Sequence, residues 1–214
     1  MRILVSGATA TLRSVEDDRF GVLVVPGSRS NPGALPLRPG QWAIDNGAYS
    51  GLDAVAFLHM LERYHPSQAS QASHGSQGCL FVAAPDVVGH AAATLERWPF
   101  WSQLLRGIGF PPALVAQDGL TPDQVPWDEL GALFIGGTTD WKISTEARTL
   151  VSYAKSRGLH VHMGRVNTRQ RLRLAMRWGV DTVDGSGFSQ WPDTNIAIGR
   201  QWLTDLHRQR ELSL

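Results

Sequence analysis

Cysteine and lysine are the residues that this sequence has least of. Cys79 is the single cysteine among 214 residues, which excludes an internal disulfide and any zinc site made of several cysteines. This usage is typical of a reducing compartment, and we predict a cytoplasmic protein. Of the 20 basic residues, only Lys142 and Lys155 are lysines, which disfavours Schiff-base chemistry.

The sequence also lacks a long apolar run and a strong net charge. No segment approaches the ~18 apolar residues of a membrane-spanning helix, and the opening MRILVSGA is too short for a signal peptide. We therefore expect no membrane partner. The formal charge of +1 neither requires nor excludes a nucleic acid. The arginine bias suits phosphates and guanine edges, although the base composition of the gene explains it equally well.

What the chain does contain is an alternation of short apolar runs with helical segments. Strands are predicted at residues 3–6, 22–25, 42–44, 80–83, 113–116, 132–135, 160–163 and 181–183. Helices are predicted at residues 53–64, 90–106, 144–157, 168–178 and 195–210. The alternation predicts an α/β fold, a compact (β/α)8 TIM-type barrel forming one domain over residues 1–214.

Two segments depart from this regular pattern. The first three predicted strands have no obvious helices between them, so we expect an irregular start to the barrel. Residues 65–78, HPSQASQASHGSQG, are polar, small and aperiodic, which predicts a flexible polar loop.

Polar residues and glycines follow most of the predicted strands. In chain order they are Asp45 and Asn46, Asp86, Gln117 and Asp118, Gly136 and Gly137, Gly164 and Arg165, and Asp184. Each group alone is also typical of a turn, and Asn46-Gly47 is a hairpin signal. In a (β/α)8 barrel, however, the carboxyl ends of all strands face one side, where catalytic groups collect. The combination therefore predicts one shared pocket.

The residue types in this pocket indicate a ligand class. A carboxylate accepts two parallel hydrogen bonds, which suits N1–H and the exocyclic amine of guanine. Glycine amides can approach a carbonyl such as guanine O6 because no Cβ blocks them. A second carboxylate can attack an anomeric carbon, as in retaining glycoside hydrolysis. These features favour cleavage of an N-glycosidic bond to a purine.

Five segments follow one another along the chain: AIDNGAYS, APDVVG, VAQDG, FIGGTTDWK and HVHMGRVNTRQRLRLAMRWGVDTVDGSG. In this order they resemble the tRNA-guanine transglycosylase superfamily, and most of all its short phage-type members that insert 7-deazaguanine into DNA. The likeness extends from about residue 41 to residue 187. The last segment is the most specific, because it joins Met-Gly, a short helix and Gly-Val-Asp-x-x-Asp.

The resemblance implies a role for each matching residue. Asp184 falls on the nucleophile of the family, and Asp45 falls on the general acid/base. Tyr49 and Met163 fall on the pair that sandwiches the base, although plain core packing also explains both. The other residues implied to bind the base are Asp86, Gln117, Gly136, Gly137 and Gly164.

The resemblance also implies the reaction and its partners. Guanine in a nucleic acid is exchanged for a free 7-deazaguanine such as 7-cyano-7-deazaguanine, without a cofactor and through a covalent Asp–sugar ester. The tRNA enzymes carry a Cys-x-Cys-x-x-Cys…His zinc module after the nucleophile, but no cysteine follows Asp184. We therefore predict a barrel without a zinc-binding subdomain and without a metal, and DNA in preference to tRNA. A phage-encoded protein of this kind acts in the host cytoplasm.

Several residues have both a functional and a structural interpretation. The set considered for nucleic-acid contact is Trp141, Lys142, Arg165, Arg169, Arg173 and Arg177. The arginines of 169–177 also fit a solvated helix face, and Trp141-Lys142 also fits a helix start. His160 and His162 point to one side of a strand, and we expect the barrel interior there in preference to a metal site.

Two other functions fit the same pattern. One is a phosphate-binding barrel enzyme acting on a small sugar phosphate, with Gly185-Ser186-Gly187 as the phosphate loop. The other is a nucleic-acid-binding barrel without activity, against which the paired carboxylates Asp45 and Asp184 argue. Asp181, at the start of the last strand, is expected to orient backbone and not to take part in catalysis.

Overall fold

Parallel strands close into a barrel in the order of the sequence. The computed structural model describes residues 1–28, 41–65 and 78–211. Eight strands pair neighbour to neighbour, and the first closes the ring by pairing with the last. The predicted (β/α)8 TIM-type barrel is confirmed. Most of the loop predicted at residues 65–78 lies outside the described residues.

The strand positions agree closely with the prediction. The strands are Arg2–Val5 (β1), Phe20–Val24 (β2), Trp42–Ile44 (β3), Cys79–Ala83 (β4), Pro112–Ala116 (β5), Ala132–Ile135 (β6), His160–Met163 (β7) and Thr182–Asp184 (β8). The last strand extends one residue further than expected, because Asp184 itself pairs with Leu4 of β1. Asp184 is therefore held by the barrel sheet and does not sit in a loose turn.

The helices between the strands include three that were not predicted. They are Thr9–Arg13 (α1), Ala54–Arg63 (α2), Ala91–Gly107 (α3), Thr139–Lys142 (α4), Thr145–Ser156 (α5), Arg169–Trp178 (α6), Ser186–Gln190 (α7) and Pro192–Glu211 (α8). The missed helices α1, α4 and α7 have only four or five residues, too short for a helical period to show in a sequence. In the parts of the chain that the structure describes, no helix is both long and apolar enough to cross a membrane.

Capping residues set the limits of the helix before β8. The hydroxyl of Thr168 accepts from the amide of Arg171 at the start of α6, and Gly179 adopts a left-handed conformation, with φ of 80°, at its end. This helix runs from the carboxyl end of β7 back to the start of β8, so its two ends lie at opposite faces of the barrel.

Side chains of the strands form two separate apolar layers. One layer fills the barrel interior and includes Leu4, Phe81, Val115 and Phe134. The other lies between the strands and the surrounding helices and holds most of the buried apolar residues. Alternate residues of each strand enter alternate layers, so this alternation decides which side chains can reach a site inside the barrel.

Two glycines make a matched test of this packing. A Cβ at Gly21 of β2 would lie 2.2 Å from the carbonyl oxygen of Gln41, whereas a Cβ at Gly107 of α3 meets nothing within 4 Å. We expect Gly21→Ala to lower the free energy of unfolding by about 3 kcal/mol, because backbone cannot move away. Gly107→Ala should raise it by about 0.5 kcal/mol. Urea unfolding checks both values, and equal effects would contradict the packing described.

Candidate active site

A cleft of about 450 Å³ opens where the strands end. Its walls are formed by residues from the carboxyl ends of β3 to β8 and from the loops that follow. Asp45, Asp86 and Asp184 all line it, so the three carboxylates predicted to share a pocket are together. The remaining lining residues are Asn46, Tyr49, Val88, Val115, Gln117, Phe134, Gly136, Gly137, Lys142, Gly164 and Arg165.

Asp86 is held at the cleft wall by two carboxamides. Asn46 Nδ2 donates to Asp86 Oδ1 at 2.8 Å, and Gln117 Nε2 donates to Asp86 Oδ2 at 2.6 Å. Burial raises the pKa of Asp86 above its ordinary value although both hydrogen bonds oppose the shift. Each carboxylate oxygen keeps a further lone pair for a ligand. Asp86 is thus a fixed acceptor of two parallel hydrogen bonds.

Asn46 is a site residue whose role was missed in the sequence. Its Nδ2 also donates to the carbonyl of Ala84 at 2.8 Å, and its Oδ1 accepts from the amide of Ala48 at 2.6 Å. A 3₁₀ turn at Ala48–Ser50 follows, so the hairpin interpretation of Asn46-Gly47 is wrong. The burial of a carboxamide beside a carboxylate is a tertiary contact, and no local pattern reports it.

The two glycines after β6 do not act as predicted. The amide of Gly136 donates to the carbonyl of Ala116 at 3.0 Å, within the strand ladder. The amide of Gly137 donates to Gln117 Oε1 at 2.9 Å, and that oxygen also accepts from the amide of Gly89 at 2.8 Å. Both glycines line the cleft, but their amide donors already have partners. The expectation that these amides meet a base carbonyl is therefore corrected.

Asp184 is fixed through both of its oxygens. His162 Nε2 lies 2.9 Å from Oδ2, and the backbone amide of Arg165 donates to Oδ1 at 3.1 Å. Burial alone would raise the pKa of Asp184, but the hydrogen bond from His162, the Arg165 amide and the nearby Lys142 outweigh it and lower the pKa. Asp184 is therefore ionised at neutral pH.

The pKa of Asp45 is shifted in the direction opposite to that of Asp184. Its pKa is raised to about 7, first by burial and then by the negative charge of Asp184 across the cleft. Hydrogen bonds from the backbone amides of Gly47, at 3.1 Å from Oδ1, and of Asn46 only partly oppose this shift. One carboxyl of the pair thus carries a proton near neutral pH while the other does not, which is the arrangement of an acid beside a nucleophile.

Arg165 and Tyr49 form the rim of the cleft beside Asp184. The Arg165 guanidinium lies 4.2 Å from the centre of the Tyr49 ring and donates to the carbonyl of Gly137. Arg165 has φ of 58°, a strained value for a residue with a side chain, and this backbone points its amide at Asp184. Tyr49 is 68% exposed, so one ring face remains available for stacking.

Lys142 and Trp141 are not on the surface that was considered for nucleic-acid contact. Lys142 is 2% exposed at the cleft wall, where its ammonium group donates to the carbonyl of Gly164 at 2.6 Å. Burial and the charge of Arg165 lower the pKa of Lys142 to about 7. Trp141 packs against the outer apolar layer, and its buried indole N–H finds no acceptor among the described residues. Lys142 therefore belongs to the interior, and Trp141 is half-buried against the protein, so neither forms a phosphate track.

Met163 does not reach the cleft. It is 1% exposed and belongs to the layer between the strands and the helices. His162, its neighbour in β7, faces the interior, so alternation turns Met163 outwards. The expectation that Met163 sandwiches a base with Tyr49 is corrected. Gly164 lies in the cleft instead, where a Cβ would stand 2.7 Å from Phe134 and 3.3 Å from Asp184 Oδ2.

Arg169, Arg173 and Arg177 of α6 are exposed but do not all lie near the cleft. Arg169, at the start of the helix, forms an ion pair with Asp205 at 3.6 Å. Arg173 and Arg177 follow toward the opposite face, with Arg177 about 12 Å along the axis from Arg169. Met176 and Gly179, which are close to Arg177 in the chain, line a cavity at the face of the barrel where the strands begin. We call this the lower face. Arg177 is therefore excluded from contact with a ligand in the cleft.

The side chain of Asn167 fills the turn Gly185-Ser186-Gly187, which was expected to bind a phosphate. Asn167 Oδ1 accepts from the amide of Gly187 at 3.2 Å, and Asn167 Nδ2 donates to the hydroxyl of Ser186 at 3.2 Å. A Cβ at Gly185 would stand 2.6 Å from Asn167 Oδ1. This turn is closed around Asn167, which argues against the sugar phosphate interpretation.

Two further aspartates near strand ends are structural. Asp118 accepts from the amide and the hydroxyl of Thr138, at 2.7 and 2.5 Å, before α4. Asp181 accepts from the amide of Val161 at 2.8 Å and pairs with Lys155 at 2.7 Å, as expected for a residue that orients backbone. Within residues 1–28, 41–65 and 78–211, no three histidine, cysteine, aspartate or glutamate side chains are grouped so as to hold a metal ion.

The raised pKa of Asp45 makes a prediction about stability. Folding keeps a proton on Asp45 up to about pH 7, whereas the unfolded chain loses it near pH 4, so this residue destabilises the fold increasingly from pH 4 to pH 7. Asp45→Asn should therefore raise the free energy of unfolding at pH 7 by about 1 kcal/mol or more and leave it unchanged below pH 4. Thermal unfolding across this range measures the difference.

Asp53→Asn is the matched control for that measurement. It removes a carboxylate at the N-cap of α2 but keeps a capping side chain. We expect little change at either pH. A gain for Asp45→Asn that is the same at pH 4 and pH 7 would show that Asp45 has an ordinary pKa.

No known protein-family model matches this chain, and a search of curated proteins finds no significant match.

Proposed function

We propose that the protein is a transglycosylase that exchanges guanine in a nucleic acid, DNA in preference to tRNA, for a 7-deazaguanine base. The observation that carries the proposal is the pair Asp45 and Asp184. They face one cleft with pKa values shifted in opposite directions, to about 7 for Asp45 and downward for Asp184. An ionised nucleophile beside a protonated acid is what displacement of a base from an anomeric carbon requires.

The wall opposite Asp184 supports recognition of guanine. Asp86 accepts from N1–H and the exocyclic amine, because each of its oxygens keeps one lone pair after its carboxamide bond. The buried network with Asn46 and Gln117 fixes the carboxylate plane, so an adenine, which offers no such pair of donors, leaves a buried acceptor unsatisfied. The exposed face of Tyr49 supplies a stacking surface at the rim.

The reaction then follows from the ionisation of the two carboxyls. The Asp184 carboxylate attacks the anomeric carbon and forms an ester while the bond to N9 of guanine breaks. Asp45 gives its proton to the departing base and becomes ionised. The incoming base loses a proton to Asp45 and attacks the same carbon, which releases the Asp184 carboxylate. Protons and charges balance over the cycle without any added cofactor.

A cleft of this kind reaches only an extruded nucleotide. The anomeric carbon and the N1 edge of guanine are inaccessible in a stacked duplex, so the target must flip into the cleft. Arg165 and the exposed Arg169 lie on the segment that follows β7 at this face and are suited to hold the phosphates beside the flipped nucleotide. Arg177 is too far along α6 to contribute.

Lys142 supports a particular kind of incoming base. We place position 7 of the base toward the β6–β7 side of the cleft, which is one of the two orientations that keep the N1 edge on Asp86 of the β4 end and the anomeric carbon at Asp184. Lys142 lies there, and the Gly164 carbonyl takes only one of its three donors among the described contacts. A neutral acceptor at position 7, such as a nitrile, satisfies this ammonium group, whereas a cationic aminomethyl group is repelled.

The catalytic roles are tested by trapping the ester. We expect Asp184→Asn to lower the rate of exchange of labelled guanine in DNA by about a thousandfold or more, because the amide cannot form the ester. Asp45→Asn should lower it about a hundredfold. Denaturing electrophoresis detects a protein–DNA adduct in the wild type, and mass spectrometry of peptides locates it on Asp184.

Asp118→Asn is the matched control for these variants. It changes an aspartate near the same face that holds Thr138 and does not line the cleft. Its exchange rate should stay close to that of the wild type. An Asp184→Asn protein that exchanges guanine at the wild-type rate would remove Asp184 from the reaction and the proposal with it.

The role of Lys142 is tested by reversing its charge. At pH 6, below its pKa of about 7, the wild type should bind 7-cyano-7-deazaguanine about tenfold more tightly than the 7-aminomethyl base. Lys142→Glu should reverse the order, and Lys142→Met should abolish the preference. Calorimetric titration of the free bases measures all six affinities. An order that is the same in all three proteins would place position 7 away from Lys142.

A further inference from the structure

A chain of four polar side chains extends from the cleft into the barrel interior. Asp184 Oδ2 lies 2.9 Å from His162 Nε2, and His162 Nδ1 lies 2.9 Å from the hydroxyl of Thr182. The same hydroxyl lies 2.9 Å from His160 Nε2. The strands β7 and β8 pair His162 with Thr182, which places all four side chains on the inner face of the barrel.

The middle of this chain is closed to water. His162 is 0% exposed and Thr182 is 1% exposed. The rings of Phe134 and Phe81 pack against the His162 ring at centroid distances of 4.5 and 5.0 Å. Because the described side chains of this interior layer are apolar, each ring nitrogen of His162 depends on its one partner.

We infer the direction of every bond for a neutral His162 ring. An ionised Asp184 only accepts, so His162 Nε2 carries a hydrogen and donates to it. In a neutral ring Nδ1 is then an acceptor, so the Thr182 hydroxyl donates its single hydrogen to Nδ1. The Thr182 oxygen is left to accept from His160 Nε2–H. One consistent chain of donors therefore leads from His160 to the carboxylate.

The other end of the chain reaches the lower face of the barrel. His160 borders a cavity there together with Arg2, Arg19, Asp181 and His207. Burial lowers the pKa of His160 to about 4 although Asp181 opposes the shift, so His160 is neutral at pH 7 and still has its Nε2–H to donate. The His160 end of this chain of hydrogen bonds therefore lies at the face opposite the cleft, where a ligand in the cleft does not contact it.

We propose that His162 is the positioning residue of the nucleophile, and that Thr182 and His160 act by holding the His162 ring in the orientation that directs its Nε2–H at Asp184. The donated hydrogen bond keeps the Asp184 carboxylate in one orientation with the Arg165 amide on its other oxygen. The same bond stabilises the carboxylate as it leaves the ester. The kinetic part of this inference rests on the proposed function, whereas the hydrogen-bond direction does not.

Three substitutions separate this role from simple packing. His162→Phe keeps an aromatic ring between Phe81 and Phe134 but removes the donor. Thr182→Val keeps the shape and removes the hydroxyl, whereas Thr182→Ser restores it. Phe81→Leu is the packing control, because it disturbs the same layer without touching the chain of hydrogen bonds. Thermal unfolding of each variant establishes that it folds.

The first measurement uses the ring nitrogens and needs no activity. In the nitrogen-15 spectrum of the histidine rings at pH 7, we expect the wild-type His162 to carry its hydrogen on Nε2 with an unprotonated Nδ1. Thr182→Val should leave the hydrogen on Nε2, where Asp184 accepts it, but shift the resonance of the unprotonated Nδ1, because this nitrogen loses its hydrogen bond, and Thr182→Ser should restore the wild-type resonance. A wild-type His162 with its hydrogen on Nδ1, or on both nitrogens, would overturn the proposed direction.

The second measurement uses the exchange reaction. We expect His162→Phe to lower kcat by about a hundredfold and Thr182→Val by about tenfold with little change in KM for the free base. The acid limb of the pH profile, which reports the ionisation of Asp184 among Asp45, Lys142 and Arg165, should move to higher pH in both. Thr182→Ser and Phe81→Leu should retain wild-type values.

The outcomes distinguish the two proposals. A wild type that exchanges no base contradicts the proposed function, while the nitrogen spectra still decide the direction of the chain. Suppose that the wild type exchanges base but Thr182→Ser is as slow as Thr182→Val. The Thr182 side chain then acts only through packing, and the proposed positioning role of His162 is wrong.

Discussion

The repulsion between two carboxylates in one cleft is the constraint on which the rest of the site depends. Asp45 and Asp184 cannot both be ionised at close range in a poorly solvated pocket without a large cost. The structure avoids this cost because it stabilises the ionised form of one carboxyl group more than that of the other. Asp184 receives hydrogen bonds from His162 and the Arg165 amide and lies near the charge of Lys142, whereas Asp45 receives hydrogen bonds from the backbone amides of Gly47 and Asn46 and faces the charge of Asp184. Asp184 is therefore the ionised carboxylate of the pair, and Asp45 is the protonated carboxyl group.

The barrel maintains this difference in ionisation because its strands hold the groups that stabilise the Asp184 carboxylate. His162 and Thr182 are paired residues of β7 and β8, and their side chains enter the interior without any loop rearrangement. Asp184 itself pairs with Leu4 of β1, so the proposed nucleophile is part of the sheet. Support from strands leaves little freedom for the carboxylate to rotate, which is how a preorganised site lowers the cost of reaching its transition state.

The sequence predicted the fold and the converging carboxylates well, for physical reasons. Buried parallel strands are near-continuous apolar runs, and residues that follow them must gather at one face. What it could not predict are contacts set by alternation and by tertiary packing. Met163 was placed in the cleft, but the strand turns it outwards, and Gly136 and Gly137 use their amides within the protein. Asn46 and the helix α4 carried no local pattern that reports their role.

The most direct test of this account is the ionisation of the two carboxyls. Carbon-13 NMR of labelled aspartate, titrated from pH 2 to pH 9 with assignments from Asp45→Asn and Asp184→Asn, follows each group separately. We predict an apparent pKa near 7 for Asp45 and one below the ordinary range for Asp184, with the Asp45 value falling when Asp184 becomes asparagine. Ordinary values for both groups, or a raised value on Asp184, would contradict the division of roles between them.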